Sequence, residues 1–226
     1  MTNYKQILKD FIPKDTSDFK FMERERIWLP RVTHILNIIA KGKGFENWLK
    51  QKGDKADTLK EEAGDFGSNI HTHLEEIGKG IKINIEALKP RERRCVEAFL
   101  KWKDENIKRF VETEHPIVNL EYGYVGTLDT IVETKDGKIA LLDYKTSKYI
   151  YDTYKLQIGA YYKGYPKKID TAFILRFEKQ EEEKKSLEVK EITDLDFQFE
   201  IFLCALRLWY WKNKWKFETE KPKEAK

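Results

Sequence analysis

The reading of the fold turns on two runs joined by a short polar link: Val125-Gly126-Thr127-Leu128-Asp129-Thr130-Ile131-Val132-Glu133-Thr134, Lys135-Asp136-Gly137-Lys138, and Ile139-Ala140-Leu141-Leu142-Asp143-Tyr144-Lys145. Runs rich in β-branched and aromatic residues on either side of an Asp-Gly predict a β-hairpin. Loop length then decides which side chains meet. A two-residue turn at Asp136-Gly137 pairs Lys135 with Lys138, sets Asp143 opposite Thr130 and sends Asp129 to the other face. A three-residue loop, Lys135-Asp136-Gly137, is a type I turn closed by Gly137 in the left-handed region. It pairs Thr134 with Lys138 and sets Asp129 directly opposite Asp143. The three-residue loop is the favoured register. It brings the two aspartate Cβ atoms within ~4.5–5.5 Å on one face, with Lys145 two residues along on that face.

Two carboxylates that close repel unless a proton or a cation lies between them. Magnesium takes oxygen ligands in octahedral geometry and keeps several waters. Asp129, Asp143 and the backbone carbonyl of Tyr144 suit that demand, and manganese accepts the same donors. Lys145 beside them can orient a water, help deprotonate it or stabilise charge on a phosphate. The bland reading of Asp-x-Lys on a strand is a surface ion pair worth ~0–1 kcal/mol. The apolar run Ala140-Leu141-Leu142 speaks against it, because these charges follow a buried segment.

Working outward, residues 57–77 form a periodic helix with Phe66, Ile70, Leu74 and Ile77 on its core stripe. His73 sits at the edge of that stripe and reads as a packed histidine. His71 falls on an adjacent face, in a row with Gly64, Gly67, Glu75 and Gly78, where small residues permit close approach. Imidazole ligates manganese-like metals, so His71 is a candidate ligand and Glu75, one turn on, a candidate outer neighbour. Beyond the hairpin, Gln157 and Tyr161 are four residues apart on the helix predicted over 152–163 and share its face. An amide and a hydroxyl-bearing ring are useful against a nucleic-acid strand, although Tyr161 also fits a core position. Lys89, Arg91, Arg93 and Arg94 read first as a solvated helix start. Trp209, Tyr210, Trp211 and Trp215 read as packing, and Ser147 has no base partner to make it a nucleophile.

The remaining elements follow the same grammar. Short helices are expected over 4–12, 31–41 and 45–52, and a long helix from Pro90 to about residue 112 through Val96, Phe99, Leu100, Ile107 and Phe110. Strands are expected over 116–124, 171–177 and 186–192, the last two joined by a charged loop around 181–185. A closing helix over 194–211 carries an apolar face of Phe197, Ile201 and Leu208. The order predicts a mixed α/β or α+β domain around one sheet. The expected organisation is a single domain over 1–226: a helical N-terminal extension (1–60), a core (61–192), a C-terminal helix (193–220) and a frayed tail (221–226).

The chain of 226 residues carries 43 Lys and Arg against 39 Asp and Glu, a net charge of +4. A modest excess of this kind suits transient contact with nucleic acid in one groove but does not demand it. Cys95 and Cys204 lack metal-ligand spacing, which excludes a thiolate zinc site or an iron–sulfur cluster. Two buried free thiols are expected, with a single disulfide as the other option. No signal peptide and no membrane span is legible, so the expected location is the cytoplasm and no membrane partner is expected.

Taken together, four segments resemble the PD-(D/E)xK nuclease superfamily, in particular its RecB-like branch. Gly67-Ser68-Asn69-Ile70-His71 is similar to its histidine motif and Gly126-Thr127-Leu128-Asp129 to its first acidic motif. Asp143-Tyr144-Lys145-Thr146-Ser147 is similar to its acid-x-lysine motif, and Gln157-Ile158-Gly159-Ala160-Tyr161 to its glutamine–tyrosine motif. Order and spacing agree over about residues 64–178. The resemblance implies a restriction-endonuclease-like core of helix, three-stranded meander, helix and further strand, in a central mixed sheet flanked by helices. It implies Mg2+ or Mn2+ held by His71, Asp129, Asp143 and the Tyr144 carbonyl, catalysis by Asp129, Asp143 and Lys145, and DNA contact through Gln157 and Tyr161. Residues 61–192 would then be the catalytic core. The four cysteines that hold an iron–sulfur cluster in many relatives are missing, and so is any Gly-x-x-x-x-Gly-Lys-Ser/Thr loop. The chain thus looks like the stand-alone enzymes of phages, viruses or mitochondrial genome maintenance, a softer match including Leu29-Pro30-Arg31-Val32-Thr33. The implied activity is hydrolysis of DNA, single-stranded or at ends, with exonuclease action favoured. The competing expectations are a non-cleaving nucleic-acid-binding module of the same fold and a structural protein with a fortuitous ion-paired hairpin.

Overall fold

The computed structural model describes residues 19–22, 27–39, 55–177 and 186–213, together with 51 and 53. A small antiparallel hairpin, β1 (Phe19–Met22) with β2 (Ile27–Pro30), comes first and leads into a short helix, α1 (Val32–Leu36). A long helix α2 (Lys55–Gly78) and a second, α3 (Pro90–Asn106), follow. Then come β3 (Ile107–Asn119), β4 (Tyr124–Thr134) and β5 (Ile139–Lys145) as a meander. Helix α4 (Asp152–Gly164) crosses to β6 (Thr171–Phe177), β7 (Leu187–Ile192) turns back, and α5 (Leu195–Lys212) closes the order. The five longer strands form one sheet in the order β3-β4-β5-β6-β7, antiparallel except where β5 runs parallel to β6. That parallel pair needs a crossover of a dozen or more residues, and α4 supplies it. The mixed α/β class with helices flanking a mixed sheet is the expected one.

The hairpin has the three-residue loop. Glu133 pairs with Ile139 and Thr130 with Leu142, the Thr134 N–H donates to the Lys138 carbonyl at 2.9 Å, and Gly137 takes φ +83°. A side chain at Gly137 would be strained in that region, so glycine sets the loop and the loop sets the register.

Alternation along the strands splits the core in two. Leu141, Ile131 and Ile174 join α1, α4 and α5 on one side of the sheet. Ala140, Leu142, Tyr144, Leu175 and Phe177 join Ile70 and Leu74 of α2 and Phe99 of α3 on the other. Helices α4 and α5 pack tightly: a Cβ at Gly159 would lie 2.5 Å from the Phe199 backbone nitrogen, so only hydrogen fits.

Several expectations are corrected. Residues 107–112 are not helical: β3 starts at Ile107, nine residues before the expected strand, and pairs Phe110 with Val132. Ile107 and Phe110 fall at helical spacing by coincidence, while the sheet edge offers Lys108 and Arg109 a shared partner, Glu133, at 2.6 Å each. The N-terminal region is not purely helical, since 19–22 and 27–30 pair as strands, and helix α1 covers only five of the residues expected over 31–41. On α5 the row Phe197, Ile201 and Leu208 is exposed, as is Trp211. The helix is apolar on two faces, and Phe199, Phe202, Leu206, Trp209 and Tyr210 take the core. Both thiols are free as expected, but Cys204 is exposed and only Cys95 is buried. The expectations for 4–12, 181–185, Trp215, 221–226 and nearly all of 45–52 lie outside the described residues. No described helix is long and apolar enough to cross a membrane.

Candidate active site

The backbone pairing of β4 with β5 stops at Thr130–Leu142. One residue further, the Asp129 carboxylate replaces the ladder, and its Oδ2 accepts the Tyr144 N–H at 2.7 Å. The same register sets Asp143 opposite Asp129. Asp143 is fully buried. Its Oδ1 accepts from Gln157 Nε2 at 3.3 Å, and Gln157 also donates to the Tyr161 hydroxyl at 3.1 Å. Its Oδ2 lies 2.6 Å from Lys145 Nζ, yet accepts no well-directed hydrogen bond among the described residues. That contact is ionic and leaves the oxygen's lone pairs poorly used.

His71 reaches in from α2. Its Nε2 donates to the Tyr144 carbonyl at 3.1 Å, and its Nδ1 stands 3.5 Å from Asp129 Oδ1. The glycine row expected to permit close approach does so at two points. A Cβ at Gly67 would lie 3.0 Å from Thr146 Oγ1, just past the end of β5, and one at Gly78 would lie 2.5 Å from Thr113 of β3. Gly64 faces open space. His73 is mostly covered, with Nε2 3.8 Å from Glu92, as a packed histidine should be.

Glu114 is the residue that sequence reasoning missed. The β3–β4 register, with Thr113 opposite Thr130 and His115 opposite Leu128, sets Glu114 opposite Asp129. His71, Glu114 and Asp129 each offer a ligand atom within 4.8 Å of the others. Glu114 is also the one described non-glycine residue with positive φ, at +50°, where strain of ~1–3 kcal/mol is held only by its surroundings. The missed signal was alternation: extending β3 backward past Pro116 would have put Glu114 across from the aspartate.

The site's charges push one another apart. Burial, aided by the charge of Asp129, holds the Asp143 carboxyl up at about 6, against the pull of Lys145. Asp129 is also penalised by burial, but His71, Lys145 and the Tyr144 N–H outweigh that and lower it. Burial works against a charged His71, yet the Asp129 contact and charge raise its pKa overall. Lys145 is raised too, because Asp143 and Asp129 overcome its burial. Burial and the charges of Asp129 and Glu75 raise Glu114. Five groups with displaced titrations in one cleft mark a candidate functional site.

In front of them lies an open cavity of about 620 Å³. Its walls take Ser68, His71 and Glu75 from α2, Glu114 from β3, and Tyr154, Gln157 and Tyr161 from α4. Lys20 and the segment Arg31-Val32-Thr33 close the N-terminal side. His71, Glu75, Asp129, Lys145, Gln157 and Tyr161 therefore reach one cavity, and Asp143 lies buried behind its wall. Gln157 and Tyr161 arrive there largely buried and brace Asp143. Glu75 arrives with the Lys79 ammonium on its carboxylate.

No family model matches the chain, and no curated protein does. Solved structures similar at low level include two of note. One is the crystal structure of SSO0001: 14% identity, TM-score 0.39, over 83% of this chain and 82% of that one. The other is an alkaline exonuclease, LHK-Exo, from Laribacter hongkongensis: 11% identity, TM-score 0.42, over 83% of this chain and 88% of that one. Likeness this distant decides nothing about chemistry.

The residues present fit a hard divalent cation. His71, Glu114 and Asp129 bring an imidazole nitrogen and two carboxylates within 4.8 Å of one another, and the buried Asp143 carboxylate, paired with Lys145, lies on the strand opposite Asp129. The Tyr144 carbonyl keeps a second lone pair beyond the one His71 engages.

Proposed function

We propose that this chain is a divalent-metal-dependent nuclease that hydrolyses phosphodiester bonds in DNA, acting on single strands or ends and favouring exonucleolytic cleavage. The observation that carries the reading is Asp143: wholly buried, across the hairpin from the Asp129 carboxylate, with the Lys145 ammonium 2.6 Å from its Oδ2. A carboxylate held like that in an ordinary core would cost several kcal/mol, which is justified where a cation and a substrate enter. Asp129, Asp143, His71 and the Tyr144 carbonyl would hold Mg2+ or Mn2+, with Glu114 as a further donor. When bound, the metal supplies charge stabilisation at the scissile phosphate and acidifies water. Gln157 holds Asp143 in place through its amide, and Tyr161 holds Gln157. Lys145, paired with Asp143 and lining the cavity, would stabilise negative charge there and fix the attacking water. The cavity's cationic rim, Lys20 and Arg31, suits a polyanion.

The test uses labelled linear and circular single-stranded DNA with manganese, comparing the wild type with Asp143→Ala. Linear strands lost and circles spared would support exonuclease action; circles cut would make it an endonuclease. Tight DNA binding with no cleavage in either metal would instead favour a binding module, and neither binding nor metal affinity would end the reading.

A further inference from the structure

Beside Lys145 the chain leaves the sheet through Ser147-Lys148-Tyr149-Ile150-Tyr151 and enters α4. Three tyrosines on this path form a continuous row. Lys145 Nζ lies 4.9 Å from the centre of the Tyr154 ring. Tyr154 meets Tyr151 at 5.5 Å, and Tyr151 meets Tyr149 at 6.3 Å, each edge to face. Lys148 caps the far end, 5.4 Å from the Tyr149 ring. The row climbs from the cavity wall, where Tyr154 is part of the lining, to the surface, where Tyr149 is 57% and Tyr151 48% exposed.

Ile150 between them is half-buried and packs against the core, so the two flanking rings are left outside it. The path is also held still. Arg176 Nη1 donates to the Lys148 carbonyl at 3.0 Å, Ser147 Oγ donates to the Tyr149 carbonyl at 2.7 Å, and the Tyr154 N–H donates to the Tyr151 carbonyl at 3.0 Å. Rings fixed in advance lose little entropy when something stacks on them.

We infer that Tyr149, Tyr151 and Tyr154 are a stacking track for the unpaired bases of a nucleic-acid strand whose backbone enters the cavity at Lys145. This rests on the nuclease reading and sharpens it, because it names the strand's state. Unpaired bases have free π-faces for aromatic side chains, whereas those of a duplex are already stacked. Lys145 and Lys148 at the two ends of the row supply cations for the phosphates between. Of the carboxylates near the row, Asp152 is held by Lys155 and the buried Asp143 by Lys145, each at 2.6 Å.

The experiment is equilibrium binding in EDTA, by fluorescence anisotropy, of a thymine 20-mer and of a blunt duplex of equal length. Wild type, Tyr149→Ala, Tyr151→Ala, the double variant and Tyr151→Trp are compared, with Trp211→Ala as a control on an exposed ring outside the cavity. Each alanine change should weaken the single strand roughly tenfold and leave the duplex unchanged; Tyr151→Trp should restore affinity, and Trp211→Ala should do nothing. A double variant that binds the 20-mer as the wild type does overturns the track while leaving the nuclease reading standing. Equal losses for Trp211→Ala, or for the duplex, overturn it as well. A wild type that binds neither probe brings down both.

Discussion

The hairpin carries the same tripeptide pattern twice, and the two copies behave oppositely. At the turn, Asp136-Gly137-Lys138 makes an ion pair of 3.1 Å between side chains 59% and 52% exposed. At the other end, Asp143-Tyr144-Lys145 makes one of 2.6 Å with the carboxylate wholly out of solvent. The local chemistry is identical, yet the Thr134 hydroxyl and then the partner lysine lower Asp136, while burial and Asp129 raise Asp143 to about 6. Burial and a second carboxylate, not the Asp-x-Lys pattern, displace the titration of Asp143.

Mutating both copies in parallel is the hardest way to break that comparison. Asp143→Asn should lower cleavage of single-stranded DNA by at least about 10³-fold, and Asp136→Asn should leave it unchanged, read as initial rates at saturating manganese. Comparable losses in both would mean the hairpin matters only as a scaffold. Next in size, Lys145→Met should cost about 10²–10³-fold in turnover with metal affinity retained, against no change for Lys138→Met. A Lys145 variant as fast as the wild type would reduce it to the ion pair that Lys138 is.

How much of this was legible in the chain depends on the range of the signal. Gly137 with Asp136 fixed the loop, the loop fixed the register, and Asp129 and Asp143 met as the alternation required. Those are short-range rules that leave two turns to choose between, and the favoured one is found. His71 was reachable because a helix repeats on a known angle. Glu114 was not, because its place depends on β3 beginning at Ile107 rather than in a helix, a choice made by pairing with Glu133 and Val132 twenty or so residues away. The two faces of α5 were misread for the same reason: Phe197 and Phe199 are equally apolar, and only contact with α4 at Gly159 decides which is inside.

Glu114 gives the comparison a sharper edge, since it comes within ligand distance of His71 and Asp129. Glu114→Gln should weaken manganese binding about 10–100-fold by titration calorimetry, with the fold intact. An unchanged affinity would leave Glu114 a strained bystander. The two ends should also respond differently to pH. Asp143 sits at 3.8 when unperturbed and at about 6 in the fold, so across that window the metal-free folded chain holds a proton the unfolded chain releases. Its contribution to stability therefore falls as pH rises from about 4 to 6. Lowered Asp129 works the other way, stabilising above the usual carboxylate range and losing that on acidification; raised His71 stabilises below its usual value and loses that as pH climbs past its folded one. A cation needs Asp143 ionised, so manganese at a hundred times its Kd, worth about 2.7 kcal/mol, should raise Tm by roughly 5–10 °C at pH 7. The gain should shrink steeply below pH 6, remain in Asp136→Asn and vanish in Asp143→Asn. A gain independent of pH would place the cation elsewhere.

The smallest effect belongs to the turn. Removing the exposed pair with Lys138→Ala should shift folding stability by no more than about 0.5 kcal/mol in urea melts, because water and salt already screen both charges. Gly137→Ala in the same loop should cost more, about 1 kcal/mol, since its φ of +83° is one an alanine adopts only with strain. If the order were reversed, with the ion pair outweighing the glycine, the turn's charges would be setting the register. The alignment of Asp129 with Asp143 would then depend on ionic strength, and cleavage should fall in high salt for the wild type but not for a Lys138→Ala chain.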